Sequence, residues 1–252
     1  LSFIGSQKMK RLFDLAFSIF GIILIAPFLI IFIFLIWIQD YENPFYIAKR
    51  IGLKGKPFDM YKLRSMCVGA DKNGVDSTSG NDPRITKIGA IVRKFKIDEL
   101  SQLINVLIGT MSFVGPRPNV KREIDIYTKK ERFLLNVKPG ITDFASIVFS
   151  DEGEILKNKK DKDLSYNQLI RPLKSKLGLF YVKNQNLILD LIIILLTIIS
   201  FFSRRLALTL VCKTLRLNRA PKDLINGASR KRRLRPSPPP GSDLIVSSRT
   251  KS

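Results

Sequence analysis

An uninterrupted apolar segment near the N-terminus constrains this fold more than any other feature. Residues 15–38, LAFSIFGIILIAPFLIIFIFLIWI, contain no charged side chain. A helix of this length is long enough to cross a hydrocarbon core of roughly 30 Å. A secretory signal peptide is the weaker interpretation, because its apolar region is shorter and a small-residue cleavage site should follow it. The segment therefore predicts a membrane helix.

Two features argue against a simple transmembrane span. Pro27 lies near the middle, and a proline disfavours helical geometry in the residue before it, so the helix is predicted to break at Ala26–Pro27. Basic residues flank both ends: Lys8, Lys10 and Arg11 before it, and Lys49, Arg50, Lys54, Lys56, Lys62 and Arg64 after it. Since cytoplasmic flanks attract Lys and Arg, both ends should lie on one side of the membrane. Residues 9–40 are therefore predicted to form a re-entrant helix.

The charge of the chain indicates an anionic partner. The sequence is 45% hydrophobic and carries a formal net charge of +22, a pairing that suits a protein on an anionic membrane surface. Nucleic acid is the competing partner and is the less favoured one. The segment 221–252 holds eight Lys/Arg and two Asp, so the rest of the chain remains strongly basic without it.

Histidine is absent from the sequence. This excludes the commonest general base, the commonest metal ligand and any phosphohistidine mechanism. Chemistry must therefore use carboxylates, amines, hydroxyls or a bound metal. The two cysteines, Cys67 and Cys212, form no disulfide framework and favour a reducing compartment.

The rest of the chain predicts an α+β, helix-rich fold in several segments. Residues 1–8 are interpreted as a leader or a vector-derived remnant, and residues 41–186 as a compact cytoplasmic catalytic domain. In that domain PFYIAKRIG and PFDMYKLRSM predict a short β-hairpin around the turn LKGK. Residues 187–220 predict interfacial amphipathic helices, since the apolar run 191–202 is too short to span; a buried core helix is the alternative. Residues 221–252 predict a basic, disordered tail.

The adjacent carboxylates Asp98 and Glu99 stand at a predicted helix start, KIDELSQLINVL. Neighbouring residues on a helix diverge by about 100°, so the two carboxylates should have separate roles. An Asp in a first turn is stabilised as the anion, and is then available as a nucleophile or a metal ligand. A helix cap on a solvated face is the alternative for this pair alone.

The motif GPRP follows about a dozen residues later. Its prolines fix the backbone on either side of Arg117, whose guanidinium can bind a phosphate with two parallel hydrogen bonds. A rigid turn is the alternative for this motif alone. Together, the carboxylates, the basic surroundings and Arg117 favour phosphate chemistry beside a membrane.

The order of these motifs resembles the bacterial sugar transferases known as monotopic phosphoglycosyl transferases. The resemblance covers residues 10–196 and rests on KRLFDL, AKRIGLKGKPFDMYKLRSM, DPRITKIGAIVRKFKIDELSQLINVLIGTMSFVGPRP and VKPGIT. It implies transfer of a sugar 1-phosphate from a UDP-sugar to a polyprenol phosphate such as undecaprenyl phosphate, with release of UMP, at the cytoplasmic face of the bacterial inner membrane. This is the first membrane step in making a surface glycan.

The resemblance also implies roles for individual residues. Asp98 would attack the sugar-bearing phosphate in a ping-pong reaction, with Mg²⁺ at Asp98 and Glu99. Arg117 is similar to the family's phosphate contact, and four further residues are candidates for binding phosphates or headgroups: Lys62, Arg64, Arg84 and Arg93. Each of the four could instead be a solvated charge. Direct transfer in one ternary complex, a non-catalytic basic membrane or nucleic-acid adaptor, and a homodimer remain open.

One segment departs from the pattern of the family. Where members commonly read KPGITGWAQVNG, this chain reads KPGITDFASIVFS, which places Asp143 and Phe144 in the motif. The segment DEGEILKNKKDKDLSYNQLIRPLKSKLG that follows is also interpreted as a feature of a subgroup of the family. Since this region should face the sugar or nucleotide, the identity of the sugar is left open.

Overall fold

The computed structural model describes residues 2–70 and 82–247, with side chains from residue 7 onward. The helices are α1 Ser2–Ile38, α2 Lys87–Lys94, α3 Gln102–Ile108, α4 Lys121–Asp125, α5 Phe144–Val148, α6 Glu152–Leu156, α7 Lys162–Leu169, α8 Arg171–Asn184, α9 Leu187–Phe202, α10 Arg204–Leu217 and α11 Lys222–Ala228. The strands are β1 Phe45–Ile51, β2 Pro57–Leu63, β3 Ser112–Val114 and β4 Gly140–Thr142. This confirms a helix-rich α+β fold with a short antiparallel hairpin; residues 1, 71–81 and 248–252 lie outside the described residues.

Helix α1 is one element of 37 residues with Pro27 inside it. The predicted break at Pro27 is therefore wrong. A proline removes a single hydrogen bond from the ladder, and a long apolar helix can absorb that loss when neighbouring elements pack against it. By length and composition, Gln7–Ile38 could cross a membrane.

One face of α1 packs on the rest of the protein from end to end. Near its start, Arg11 donates hydrogen bonds to the carbonyls of Val106 (2.6 Å) and Leu107 (2.8 Å). Near its end, Ile36 is buried in a cluster with Leu63. The opposite face exposes large apolar side chains, namely Leu12, Phe17, Ile19, Phe20, Ile23, Leu24, Phe28, Ile30, Ile31, Phe34, Trp37 and Ile38. Both ends of α1 thus contact the same body.

Strands β1 and β2 form the predicted antiparallel hairpin, with Phe45 opposite Leu63 and Ile51 opposite Pro57. The connection contains Lys54 and Gly55, both with positive φ, at 56° and 74°. Glycine adopts this geometry without strain, which explains the LKGK turn. The inward face of the hairpin buries Ala48 and Met60.

The main core lies between α5, α8, α9 and α10. Phe144 and Tyr181 are its largest fully buried side chains. Helix α9 contributes Leu189, Ile193 and Leu196 to this core through one face. Its other face exposes Ile188, Leu191, Leu195, Ile198 and Phe202. One face of α9 thus belongs to the core, as the alternative interpretation expected; the interfacial location stays a prediction, which the exposed apolar face supports.

The C-terminal segment differs from the predicted disordered tail over most of its length. It contains α11, and the chain beyond α11 is tied to the body by hydrogen bonds. Gln168 donates to the carbonyl of Val246 (2.8 Å), and the amide of Ser237 donates to the carbonyl of Gln168 (3.1 Å). Arg230 forms an ion pair with Asp151. Low sequence complexity suggested disorder, but these long-range contacts hold the segment in place.

Strands β3 and β4 pair in parallel, with Ser112 opposite Gly140 and Val114 opposite Thr142. Next to this pairing, the two backbones also come close together at Gly115 and Gly140. A Cβ atom built on Gly140 would lie 2.0 Å from the Gly115 nitrogen. Only glycine fits at this approach. The contact joins the VGPRP and VKPGIT motifs through Gly115 and Gly140, which lie 25 positions apart in the sequence.

We expect Gly140→Ala to destabilise the protein by about 3 kcal/mol, the upper range for overpacking, since the added methyl group must push the two strands apart. Thermal unfolding in detergent would measure this effect. Gly153→Ala is the matched control: this glycine lies in helix α6 with nothing within 4 Å of an added Cβ. Equal unfolding midpoints for the two variants would contradict the expectation.

Candidate active site

Asp98 and Glu99 lie in a short 3₁₀ turn, Ile97–Glu99, between α2 and α3. The sequence predicted the first turn of an α-helix, but α3 begins only at Gln102. Lys96 precedes the turn in a left-handed conformation (φ 54°, ψ 29°), which ends α2 and redirects the chain. The favourable helix-dipole setting expected for Asp98 is therefore absent, and its charge depends on tertiary neighbours.

Each carboxylate faces a different cation. Lys62 Nζ lies 3.7 Å from Asp98 Oδ2. Arg117 binds Glu99 through both terminal nitrogens, with 3.2 Å from Nη1 to Oε2 and a second contact from Nη2 to Oε1. Separate roles for the two carboxylates were expected from the sequence, and their separate partners agree with that expectation.

Burial and charge move the pKa values of these groups in different directions. Burial raises the pKa of Asp98 against the attraction of Lys62. Burial also acts to raise the pKa of Glu99, but the charges of Arg117, Lys62 and Lys96 outweigh it and lower the pKa to about 2. The pKa of Lys62 is lowered, chiefly by burial. Asp98 is thus the more basic carboxylate and the better nucleophile, whereas Glu99 is held as an anion.

Side chains of α3 fix the position of Lys62. The Asn105 amide accepts a hydrogen bond from the Tyr61 nitrogen (2.9 Å) and donates to the Asp59 carbonyl (2.6 Å). Ser101 Oγ donates to the Tyr61 carbonyl (3.1 Å). These bonds attach strand β2 to the segment that carries Asp98, so that Lys62, the next residue along β2, reaches the carboxylate. Sequence spacing gave no sign of this role for Asn105.

A family model described as "Bacterial sugar transferase" matches residues 5–204, a range that includes Lys62, Asp98, Glu99 and Arg117. The chain belongs to this family. The resemblance seen in the sequence is thereby confirmed, and the adaptor alternative loses its support.

Several curated relatives of this sugar transferase have more specific names. A Bacillus subtilis (strain 168) protein, named provisionally as an undecaprenyl-phosphate N-acetylgalactosaminyl 1-phosphate transferase, is 42% identical over 53% of this chain and 71% of its own length. The UDP-N-acetylgalactosamine-undecaprenyl-phosphate N-acetylgalactosaminephosphotransferase of Aeromonas hydrophila is 30% identical over 75% of this chain and 43% of its own length. The UDP-glucose:undecaprenyl-phosphate glucose-1-phosphate transferase of Klebsiella pneumoniae is 34% identical over 80% and 42%. All three names include undecaprenyl phosphate; two give N-acetylgalactosamine as the sugar, and one gives glucose.

The other predicted phosphate-binding cations of the transferase, Arg64, Arg84 and Arg93, contact different groups. Arg64 binds Asp40 through both terminal nitrogens (2.5 and 2.6 Å), which fastens the chain after α1 to the end of β2. Arg84 binds Asp82 and the Ala70 carbonyl. The charge of Arg93 acts to lower the pKa of Asp98. Arg64 and Arg84 thus each neutralise a local carboxylate, and their contact with phosphate stays a prediction.

The family's variable segment adds residues that the sequence did not single out. Lys174 lies 3.3 Å from Glu152 and 5.1 Å from the ring centre of Tyr166. A cavity of about 40 Å³ is lined by Arg117, Lys174 and Tyr166, among others, and the charge of Glu152 raises the pKa of Arg117 further after the larger effect of Glu99. No pattern in the sequence predicts that Glu152, Tyr166 and Lys174 lie together, because they come from three separate helices.

The two unusual residues of that segment, Asp143 and Phe144, have clear structural positions. The Asp143 carboxylate accepts hydrogen bonds from the nitrogen and Oγ of Ser146, both at 2.6 Å, and so caps α5. Phe144 is fully buried in the main core. Both residues therefore stabilise the wall of the site, and Asp143 also lines the cavity beside Arg117.

Asp98 and Glu99 are the carboxylates expected to bind Mg²⁺. In the part of the chain that the structure describes, no group of three or more His, Cys, Asp or Glu side chains could hold a metal ion. Mg²⁺, however, is commonly bound by one or two carboxylates together with substrate phosphates and waters. The oxygen ligands of Asp98 and Glu99 fit such an ion if the substrate supplies the remaining ligands.

Proposed function

We propose that this protein transfers a sugar 1-phosphate from a UDP-sugar to a polyprenol phosphate, such as undecaprenyl phosphate, and releases UMP. The observation that carries the proposal is the buried Asp98 beside Lys62, with Glu99 held by Arg117, in a member of the sugar transferase family. The names of the relatives support the two substrates. A basic adaptor would need no buried carboxylate with a raised pKa.

In the proposed first step, an oxygen of Asp98 attacks the phosphorus that carries the sugar. The bond from this phosphorus to the bridging oxygen breaks, UMP leaves with the bonding electrons, and the sugar phosphate remains on Asp98 as an acyl phosphate. Lys62 reduces the repulsion between the carboxylate and the diphosphate. Arg117 can bind a phosphate oxygen while its other nitrogens keep Glu99 in place.

In the second step, a phosphate oxygen of the polyprenol phosphate attacks the same phosphorus. The bond from phosphorus to Asp98 breaks, which regenerates the carboxylate and forms a polyprenyl diphosphosugar. The alternative is direct transfer between the two substrates in one complex. We favour the covalent route, because a partly buried carboxylate with a raised pKa suits a nucleophile better than a solvated anion does.

Mg²⁺ is proposed as the cofactor, with Asp98 and Glu99 as its protein ligands. When bound, it would neutralise charge on the diphosphate and on the departing UMP. The side chains themselves still have to position the phosphates, and Lys62 and Arg117 are the cations placed to do so.

Helix α1 supports a proposed membrane arrangement. Arg11, just before its apolar stretch, and Ile36, near the end of that stretch, contact the same body, and its outer face exposes apolar side chains between Met9 and Ile38. We therefore propose that α1 enters and leaves the bilayer on one side, with the catalytic residues at headgroup depth on the cytoplasmic face of the inner membrane. Anionic lipids would balance the basic charge. A cysteine placed at residue 8 should react only with reagents added on the cytoplasmic side; labelling from the outer side would contradict the arrangement.

A panel of UDP-sugars with undecaprenyl phosphate and Mg²⁺, scored for UMP release, tests the proposed activity. We expect release with one or a few donors, and dependence of continuous turnover on the lipid. Failure of every donor to release UMP, with folded protein in a membrane mimetic, would overturn the proposal. The same panel would identify the sugar, which the names of the relatives leave open.

A further inference from the structure

Lys96 connects the carboxylate turn to the end of helix α9. It lies two residues before Asp98, is exposed, and has a left-handed backbone. Its ammonium lies 5.8 Å from the ring centre of Phe201, the penultimate residue of α9. A cation over an aromatic face at this distance is attracted by the ring, though weakly at an exposed site.

The charge of Lys96 is available to a ligand. Other cations near Asp98 and Glu99 have partners: Lys62 pairs with Asp98, Arg117 pairs with Glu99, and Arg93 donates to Ser65 Oγ at 3.5 Å. Among residues 7–70 and 82–247, the ammonium of Lys96 has the Phe201 ring as a neighbour but no hydrogen bond or ion pair. Because a ring contact is weaker than a charge-assisted hydrogen bond, a phosphate can displace it.

The surroundings of Lys96 are apolar on the outer side. Phe95, Phe201 and Phe202 are 61%, 62% and 87% exposed. They continue the exposed apolar face of α9. A free cation inside such a rim, next to a buried nucleophile, fits an amphiphile with an anionic head and a long apolar tail. A water-soluble sugar nucleotide has no apolar tail to match this rim.

Resting on the proposed function, we infer that Lys96 binds the phosphate of the polyprenol acceptor at the rim formed by Phe95, Phe201 and Phe202, and presents it to Asp98. Phe201 holds the ammonium near the carboxylates until the lipid arrives. The lipid tail then lies along the outer face of α9. Lys96 thus acts in the second step of the reaction and not in the first.

The test separates the two half-reactions. In Lys96→Gln, the KM for undecaprenyl phosphate should rise about tenfold, as expected for loss of a charge-assisted hydrogen bond. UMP release without acceptor and the KM for the donor should stay within twofold, because Arg117 and Lys62, whose charges act more strongly on Glu99, remain in place. Lys96→Arg should restore most of the acceptor affinity. Lys129→Gln is the control, because Lys129 is an exposed lysine outside this rim; it should leave both KM values unchanged.

A binding measurement makes the outcome independent of turnover. Wild-type protein should bind nanodiscs with undecaprenyl phosphate more tightly than nanodiscs carrying the same charge as phosphatidic acid, and Lys96→Gln should lose this difference. If Lys96→Gln weakens binding to both lipids equally, or leaves the acceptor KM unchanged while wild type is active, the inference is overturned. If wild type shows the lipid preference but releases no UMP, the assigned activity fails and the binding role of Lys96 stands.

Discussion

Replacing Asp98 by asparagine should reduce UMP release by about a thousandfold or more, while membrane binding and the unfolding midpoint remain close to wild type. The change removes the nucleophile with almost no change in volume. It also leaves Lys62 without its carboxylate, which should weaken donor binding only modestly because Glu99 still attracts that lysine. UMP release in single-turnover conditions, without acceptor, measures the chemical step directly.

A trapping experiment decides between the covalent and the direct route. Wild-type protein incubated with a UDP-sugar labelled in the sugar should retain label after denaturation, and Asp98→Asn should retain none. Asp125→Asn is a suitable control, since Asp125 is an exposed carboxylate on α4 paired with Lys121. Undiminished UMP release by Asp98→Asn would show that another group attacks. Active wild type without retained label would favour direct transfer.

Arg117→Lys should lower kcat/KM for the UDP-sugar by about a hundredfold, comparable with the loss of one preorganised donor to a reacting oxyanion. Lysine keeps the charge but cannot bind Glu99 and a phosphate oxygen at once through a planar fork. The double variant with Glu99→Gln should lose less than the sum of the two single losses, because the residues act as a pair. Arg132→Lys, at an exposed position, should show wild-type rates.

The same variant should change the pH dependence of stability. Arg117, against the effect of burial, helps hold the pKa of Glu99 at about 2, below its usual 4.5. A depressed carboxylate pKa contributes stability that is present above pH 4.5 and is lost as the pH falls towards 2. In Arg117→Lys the pKa should be less depressed, so less stability should be lost over that window. An acid unfolding curve identical to wild type would show that Arg117 does not control Glu99.

The sequence was a good guide where a property depends on neighbouring residues. The hairpin followed from two strand patterns around a glycine turn, and the apolar length of α1 from composition alone. The carboxylate pair and Arg117 were found as motifs. By contrast, the sequence wrongly predicted a break at Pro27 and disorder in the C-terminal segment. In both places, contacts with residues distant in the sequence outweigh the local conformational preference.

The site shows the same division. Sequence placed Asp98 in a first helical turn and so expected a stabilised anion, whereas the structure places it in a buried 3₁₀ turn with a raised pKa. The roles of Arg64 and Arg84 could not be inferred from charge, since their carboxylate partners occupy them. The placement of Lys174 and Glu152 near Arg117 could not be predicted from the sequence, because α6 and α8 approach Arg117 only in the folded protein.

The sequence by itself determined the family, the long apolar helix and the position of the carboxylate pair, because each depends on composition or on a contiguous motif. Tertiary structure alone decided which cation faces which carboxylate and placed Lys96 beside the ring of Phe201. The physical reason is that desolvation and ion pairing depend on distances between residues far apart in the chain. Those distances set the pKa values of Asp98 and Glu99, and with them the separate tasks of the pair.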